Sequence, residues 1–455
     1  MPTSNIVEQM ENCVTKLTAM RVLLVAENVS RKMGGESGKN FYYFELLQER
    51  NIDVRIVCHA RVREELRAEF PNEEDFQKFH FIEDNWLQAM LHHLSQWFPY
   101  RIEDLIFGQL IHLITQSQAR QVVKKLIKKH DIQLVFEPSP ITPKGLSFMY
   151  DLGVPVVIGP LSGGLEFPPA FRYMDSSLSR ISVAVGRFFS ETMQRLIPGK
   201  LQADTLIVAN KLTEEALPKG CRGKVYKVIE CGVDLDIWEP RKHRESDPEQ
   251  PVRFVYLGRF VDWKGLQFLI EAFKQVVAKT NSVLELIGDG EMREQLEAQV
   301  VDLNIQDYVN FHGWMKREDS SKLMCECDVF VMPSLREAGG NAALEAMALG
   351  LPLVAAKWAG PANTVDPSCG LLVEPTSKQA FVDGLAEAMI HLAESPELRQ
   401  QMGEAGPRHM TTNYLDWDSK ADRIIEIFQE TLLRCKEVSA SSKKIEISAK
   451  KIATK

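Results

Sequence analysis

Four charged residues in the second half of the chain have the types and settings for work on a phosphorylated sugar: Arg259, Lys264, Glu337 and Glu345. Arg259 and Lys264 stand beside Gly258 and Gly265, just past an apolar run that reads as a strand. Two cations at the mouth of a parallel sheet suit a diphosphate, with the guanidinium binding it bidentately and the ammonium acting as a point charge. Glu337 and Glu345 are eight residues apart. On one unbroken helix they would lie about two turns apart. Gly339-Gly340 falls between them, so Glu337 is expected in a loop and Glu345 inside a helix. From those places the two carboxylates can approach the hydroxyls of one ligand from different sides. A carboxylate pair also fits a hydrolase with an acid and a nucleophile. The neighbouring phosphate-binding features favour transfer from an activated sugar.

The elements that must position these residues are legible. Val329 to Met332 reads as a strand that stops at Pro333-Ser334, which is turn chemistry. After the Gly339-Gly340 loop, strong helix formers run from Ala342 to Leu349 and Gly350 closes them. A strand, a glycine loop and a helix N-terminus make an anion site, because backbone N–H groups and the helix dipole point at it. Gly339, Gly340 and Asn341 are therefore candidate phosphate donors, and the whole outlines a nucleotide-sugar pocket. Asp289, in Gly288-Asp289-Gly290 at another strand end, either lines the same cleft or caps the following helix. Backbone groups of His312-Gly313-Trp314 could meet a base, while the His312 side chain reads as structural. Neither His59 nor the His92-His93 pair has the spacing of a metal site.

The first half opens with a strand (Arg21 to Ala26), the loop Met33-Gly34-Gly35-Glu36-Ser37-Gly38, a helix (Lys39 to Arg50) and a strand (Asp53 to Cys58). That order begins a doubly wound sheet. The loop lacks the G-x-G-x-x-G fingerprint, which disfavours a redox dehydrogenase. Residues 61–130 read as mostly helical. Within them Trp86, Leu87, Met90, Leu91, Leu94, Trp97 and Phe98 share one helical face, and Arg120, Lys124, Lys125, Lys128 and Lys129 follow on a second helix. The stripe reads either as core-facing beside a solvated basic face or as contact with a membrane surface. Strands at Ile132 to Phe136 and Val154 to Ile158 are followed by the loops Glu137-Pro138-Ser139-Pro140 and Gly159 to Pro169, the latter carrying Gly163 and Gly164. A helix is expected over 176–197, with Arg180, Arg187 and Arg195. Strands alternating with helices resume at Arg253 and imply a second parallel sheet.

The division that follows is a leader over 1–20, one α/β domain over 21–232, a charged turn-rich linker over 233–251, a second α/β domain over 252–417, an amphipathic helix over 418–435 and a tail over 436–455. The tail holds six lysines and two glutamates, so it carries +4, and its Ser/Ala-rich composition reads as disordered. Weak attraction to an anionic bilayer is the alternative use of that charge.

The 455 residues suffice for two large domains, and 45% hydrophobic with 25% charged residues is ordinary globular composition. A net charge of −8 argues against general nucleic-acid binding. No apolar run approaches a membrane span, and Met1 to Met20 is too polar for a signal peptide. The eight cysteines are scattered, which fits reduced thiols and a cytoplasmic chain, with a peripheral place on the inner face of a membrane as the alternative.

Together, Gly258-Arg259 with Lys264-Gly265, Gly288-Asp289-Gly290, Pro333-Ser334 and Glu337 with seven residues before Glu345 in Leu344-Glu345-Ala346-Met347-Ala348 resemble the family-4 retaining glycosyltransferases of GT-B architecture. The resemblance is strong from about Val252 to Glu374 and weaker from Arg21 to Ile229. It implies two Rossmann-like domains facing each other across a cleft, with the last helix crossing back to the first. It implies that Arg259 and Lys264 neutralise the donor diphosphate, that Glu337 holds sugar hydroxyls and that Glu345 holds the ribose, with no cofactor and no essential metal. Gly34 and Gly35 are then expected near the donor phosphates or the acceptor, and the Gly163-Gly164 loop on the acceptor side. The implied reaction moves a hexosyl group from a nucleotide sugar, a UDP-sugar first, to an acceptor such as a galactolipid or a lipid-linked saccharide. A nucleotide-sugar epimerase or hydrolase of the same architecture, and a non-catalytic sugar- or lipid-binding protein, are the alternatives. Two departures stand out. Gly339 takes the place of the family's usual phenylalanine. The region Leu134-Val135-Phe136-Glu137-Pro138 lacks the histidine many members carry, so Glu137 or a backbone group becomes the candidate substitute.

Overall fold

Strands that are apolar on both faces demand cover on both sides, and parallel sheets obtain it from crossover helices. The computed structural model, which describes residues 20–32, 36–97, 107–175, 191–241 and 249–453, contains two such sheets. The first comprises β1 (Arg21–Val25), β2 (Asp53–His59), β3 (Phe79–Ile82), β4 (Leu134–Glu137), β5 (Val156–Leu161), β6 (Thr205–Val208) and β7 (Lys224–Lys227), in the order β3-β2-β1-β4-β5-β6-β7. The second comprises β8 (Val252–Leu257), β9 (Ser282–Ile287), β10 (Val309–Gly313), β11 (Val329–Met332), β12 (Leu353–Ala356) and β13 (Gly370–Val373), in the order β10-β9-β8-β11-β12-β13. Every strand pair is parallel.

The helices that matter for the site are α1 (Glu36–Glu49), α2 (Trp86–Ser95), α3 (Gln109–His130), α4 (Leu266–Val277), α5 (Asn341–Ala348), α6 (Lys378–Glu394), α7 (Pro396–Thr412) and α8 (Trp417–Ala453). Side chains alternate across a strand. Val22 and Leu24 therefore pack with Phe41, Phe44 and Leu47 of α1, while Leu23 and Val25 pack with Ala119, Val123 and Leu126 of α3. The second sheet does the same. Phe254 and Tyr256 pack with α4 and α6, whereas Val255, Phe330 and Met332 pack with Leu344 and Met347 of α5.

Both strand orders reverse direction once, between β1 and β4 and between β8 and β11. In open α/β sheets the crevice beyond the strand C-termini at such a switch point receives ligands. The two loops singled out in the sequence leave β8 and β11, the strands that flank the second switch point.

The chain returns from the second sheet to the first. Gly406 of α7 lies against Met347 of α5. α8 then buries Ile424, Ile427 and Phe428 in the first core, where Phe428 meets Phe136 edge-on at 5.0 Å. Trp417 stacks on Tyr42 at 4.9 Å, and Arg50 holds Asp418 and Asp422. In the opposite sense, Phe167 and Phe171, from the segment after β5, enter the second core, with Phe171 edge-on to Phe268 and Phe381.

Several expectations change. The 61–130 region contains β3, an edge strand whose aromatic Phe79 and Phe81 pack among Phe44, Phe70 and Phe76. The stripe on α2 does not face the core. Trp86, Met90, Leu94 and Trp97 are exposed, and α2 instead buries Gln88, which donates to Thr115 Oγ1 at 2.8 Å. The linker expected over 233–251 begins too early, because Trp238 is 2% exposed within the second core. Met20, assigned to the leader, is buried in the first core. The tail expected to be disordered continues α8 to Ala453, since alanine, lysine, glutamate and isoleucine extend a helix already nucleated by packing. The leader over 1–19, most of the 176–197 helix and Gly34-Gly35 lie outside the described residues.

Candidate functional site

The turn after β8 is set by contact with the turn after β11. Gly265 adopts φ +77°, and a Cβ there would lie 2.3 Å from the Pro333 carbonyl oxygen. Only glycine lets these two loops touch. Leu335 N–H donates to the Trp263 carbonyl at 2.9 Å and locks them together. The loop contact brings Lys264 onto Glu337, and Nζ forms an ion pair with the carboxylate. Gly340, at φ +78° and ψ 57°, turns the chain into α5. The N-terminal turn of α5, with its partial positive charge, thus opens beside the ion pair.

These parts line one cavity of about 380 Å³. From the second sheet come Leu257, Gly258, Lys264, Met332, Glu337, Gly339, Gly340, Asn341 and Glu345. Lys39 of α1 and Ile141 come from the first, Glu230 and Cys231 from the connection between the sheets, and Trp417 from the start of α8. The cavity is therefore walled by both sheets and by the returning helix. Desolvation of Glu345 pushes its carboxyl up to about 7, against the weaker pull of the Arg317 charge. Burial drives the Cys231 thiol well above its ordinary value, with Glu230 adding to the rise. Cys231 is on these grounds a protonated wall residue rather than a nucleophile.

The sequence candidates divide. Lys264, Glu337, Gly339, Gly340, Asn341 and Glu345 converge on the cavity. Arg259 is exposed one residue beyond cavity-lining Gly258, and its guanidinium has no ion-pair partner among the described residues. Asp289 is exposed and locally engaged, accepting from Gly290 N–H at 2.7 Å and pairing with Arg293 at 3.4 Å. His312 Nε2 lies 2.7 Å from Glu285, away from the cavity lining. Glu137, at the end of β4, is wholly buried against Ser147. Burial pushes its carboxyl up to about 7, opposed by the Ser147 hydrogen bond and by the Lys200 and His112 charges. It does not line the cavity. Gly163 and Gly164 serve loop packing: a Cβ would meet Pro143 Cδ at 2.8 Å and Ala216 Cβ at 2.7 Å respectively. Among the described residues no group of three or more His, Cys, Asp or Glu could hold a metal ion, and no helix is long and apolar enough to cross a membrane.

Sequence reasoning did not find Lys39, Glu230, Cys231 or Trp417. Lys39 had a signal, since it opens the helix after the first glycine loop. Glu230-Cys231 directly follows a strand end but has no motif, and Trp417 reaches the cavity only because α8 crosses back.

Residues 238–409 match the family described as glycosyl transferases group 1. The chain is 32% identical over 180 residues to the GDP-mannose-dependent monoacylated alpha-(1-6)-phosphatidylinositol monomannoside mannosyltransferase of Corynebacterium glutamicum, covering 38% of this chain and 45% of that protein. It is 32% identical over 214 residues to the lipopolysaccharide core biosynthesis glycosyltransferase LpsD of Rhizobium meliloti, covering 44% and 60%. The chain spans about half the length of these curated relatives. Among solved structures, Anabaena HepE in complex with UDP superposes with a TM-score of 0.56 at 17% identity, covering 90% of this chain and 100% of that one. At that identity the likeness concerns the fold, two parallel sheets in the GT-B arrangement.

Proposed function

From the match of residues 238–409 to the glycosyl transferases group 1 family, we propose that the chain is a retaining glycosyltransferase that moves a hexosyl group from a nucleotide sugar to a lipid-carried acceptor. The observation that carries this reading is the convergence of Lys264, Glu337 and the α5 N-terminus on one cavity walled by both sheets.

Each part has a task. The donor diphosphate takes Lys264 from Glu337 and lies against the Gly340–Ala342 turn, with Arg259 closing over it from the surface. Glu337, released, accepts hydrogen bonds from sugar hydroxyls, and Glu345 accepts them from the ribose. The bond from sugar C1 to the phosphate oxygen breaks as the bond from C1 to the acceptor oxygen forms on the same face. The acceptor proton passes to the departing phosphate. Stabilising that leaving group electrostatically is the protein's main contribution. The domain limits follow from the same reading: the first domain takes the acceptor, and the second takes the donor from Trp238 onward.

Two relatives bear names that concern a phosphatidylinositol mannoside and a lipopolysaccharide core, which supports an acceptor at a membrane surface. So does the stripe on α2. Trp86 and Trp97 are 76% and 81% exposed, and α2 follows the C-terminal end of β3, the edge strand of the first sheet. Interfacial tryptophans anchor proteins at headgroup level. A UDP-sugar is the first donor to test, with GDP-mannose beside it. The chain is incubated with labelled UDP-glucose, UDP-galactose or GDP-mannose and a membrane lipid extract. Label moving into the lipid fraction is the expected result. Nucleotide release with no transfer to any acceptor would count against a transferase and for a hydrolase.

A further inference from the structure

Gly339 stands where the resemblance expects a phenylalanine, and the cavity wall shows what occupies the vacated side. A Cβ on Gly339 would lie 2.2 Å from Cys231 Sγ and 3.1 and 3.2 Å from the two carboxylate oxygens of Glu230. A side chain at 339 and the pair Glu230-Cys231 therefore exclude each other. Glu230 lines the cavity, is only 8% exposed, and its Oε2 is buried with no hydrogen-bond partner. The nearby buried cation does not supply one. Lys420 Nζ donates to the Ile229 carbonyl at 2.8 Å and to the Tyr414 carbonyl at 2.7 Å, and forms no ion pair with Glu230. Glu337 already holds Lys264. A buried carboxylate oxygen left without a donor is costly, and native proteins keep such groups where something else satisfies them.

We propose that Glu230, seated beside Gly339 in the cavity wall, forms a sugar subsite, in which its unpartnered oxygen accepts a hydrogen bond from one hydroxyl of the transferred hexosyl group. This rests on the nucleotide-sugar reading above. Lys264 is held by Glu337 and Lys420 by two carbonyls, so a ligand hydroxyl in the cavity is the donor that can reach this oxygen. Gly339 leaves to Cys231 and Glu230 the place a larger side chain would take, and so puts the Glu230 carboxylate on the cavity wall. Glu230 thereby selects among hexosyl donors, by requiring a hydroxyl at the ring position that faces it.

The test is calorimetric titration of the full chain with UDP, UDP-glucose, UDP-galactose, GDP and GDP-mannose, for the unsubstituted protein, Glu230→Leu and Glu230→Gln. For the nucleotide sugar the unsubstituted chain prefers, Glu230→Leu is expected to weaken binding about ten- to a hundredfold, the worth of a hydrogen bond to a charged group. The matching nucleoside diphosphate should bind as before, and Glu230→Gln, which keeps an acceptor oxygen, should retain most of the affinity. Equal weakening of sugar and diphosphate, or no change in either, overturns the subsite. If the unsubstituted chain binds no nucleotide sugar, the functional reading itself falls and the subsite with it. Should leucine prevent folding, Glu230→Asp, which keeps the charge and withdraws it by one methylene, must give the same selective loss; a uniform loss or none overturns the proposal.

Discussion

Removing the Lys264 ammonium should cripple transfer while leaving the fold in place. Lys264 and Glu337 side chains are 22% and 16% exposed, so the pair sits in the cavity wall, partly shielded from solvent. A diphosphate oxygen that takes the place of Glu337 about 4 Å from the ammonium gains roughly 4 kcal/mol at an effective dielectric of about 20. That corresponds to about a thousandfold in rate if the interaction strengthens as charge develops on the leaving phosphate. The α5 N-terminus keeps a share, about 0.3–1 kcal/mol. The expected loss in kcat/KM for Lys264→Ala is therefore about a hundred- to a thousandfold. Stability should fall by only about 1–2 kcal/mol, because the Glu337 left behind faces the cavity and can be hydrated. The assay is the initial rate of transfer at subsaturating nucleotide sugar, which reads kcat/KM, with a thermal melt recorded in parallel. Arg259→Ala provides the internal comparison: its guanidinium is exposed, so its loss should cost about tenfold or less and respond to salt. If Lys264→Ala stays within about threefold of the unsubstituted rate with an unchanged melt, the electrostatic reasoning is wrong.

Gly339→Ala places a Cβ 2.2 Å from Cys231 Sγ, and should destabilise the protein by about 1–3 kcal/mol through overpacking; adding Cys231→Ala should restore most of the loss in denaturant titration. Glu345 is raised to about 7 by desolvation, so the folded chain holds a proton there that the unfolded chain has lost, and stability from this group declines as pH rises from about 4.5 to about 7. If its ionised form holds the ribose as proposed, nucleoside diphosphate affinity should rise by about tenfold between pH 6 and 8, following the ionised fraction, relative to Glu345→Gln. A slope that persists unchanged in Glu345→Gln would assign the titration elsewhere. Replacing Trp86 and Trp97 by serine should reduce co-sedimentation with lipid vesicles by about tenfold or more without shifting the melt, since both side chains already face solvent; unaltered vesicle binding would remove α2 from the membrane contact.

The cavity wall that the second sheet supplies was legible because its parts are local. Pro333 to Gly350 carries its strand end, its turn, its helix start and both carboxylates within eighteen residues. Gly258 to Gly265 does the same for the cations. Local dihedral demands and helix periodicity write such units directly into residue types. Asp289 was placed at a strand end correctly, but whether a strand end reaches the cavity depends on its rank in the sheet, and β9 lies one strand away from the switch point between β8 and β11. Glu137 was a candidate because it stands where the resemblance expects a histidine, and it turns inward to Ser147 instead. On α2 the apolar stripe had the spacing of a core face, yet the buried side carries Gln88 and Ser95.

By itself the amino-acid order determined two alternating strand–helix halves, the glycine turns after β8 and β11, and the identity of the groups that could meet a diphosphate. Tertiary structure alone decided which of them meet. Lys264 and Glu337 are 73 residues apart and pair only because Gly265 lets the Pro333 carbonyl approach. Trp417 closes the cavity because α8 buries Ile424, Ile427 and Phe428 against the first sheet. Glu230 becomes a cavity residue only when Gly339 arrives beside it from the other half of the fold. Contacts between distant segments depend on which buried faces find each other, and residue type constrains that only through the packing of the whole chain.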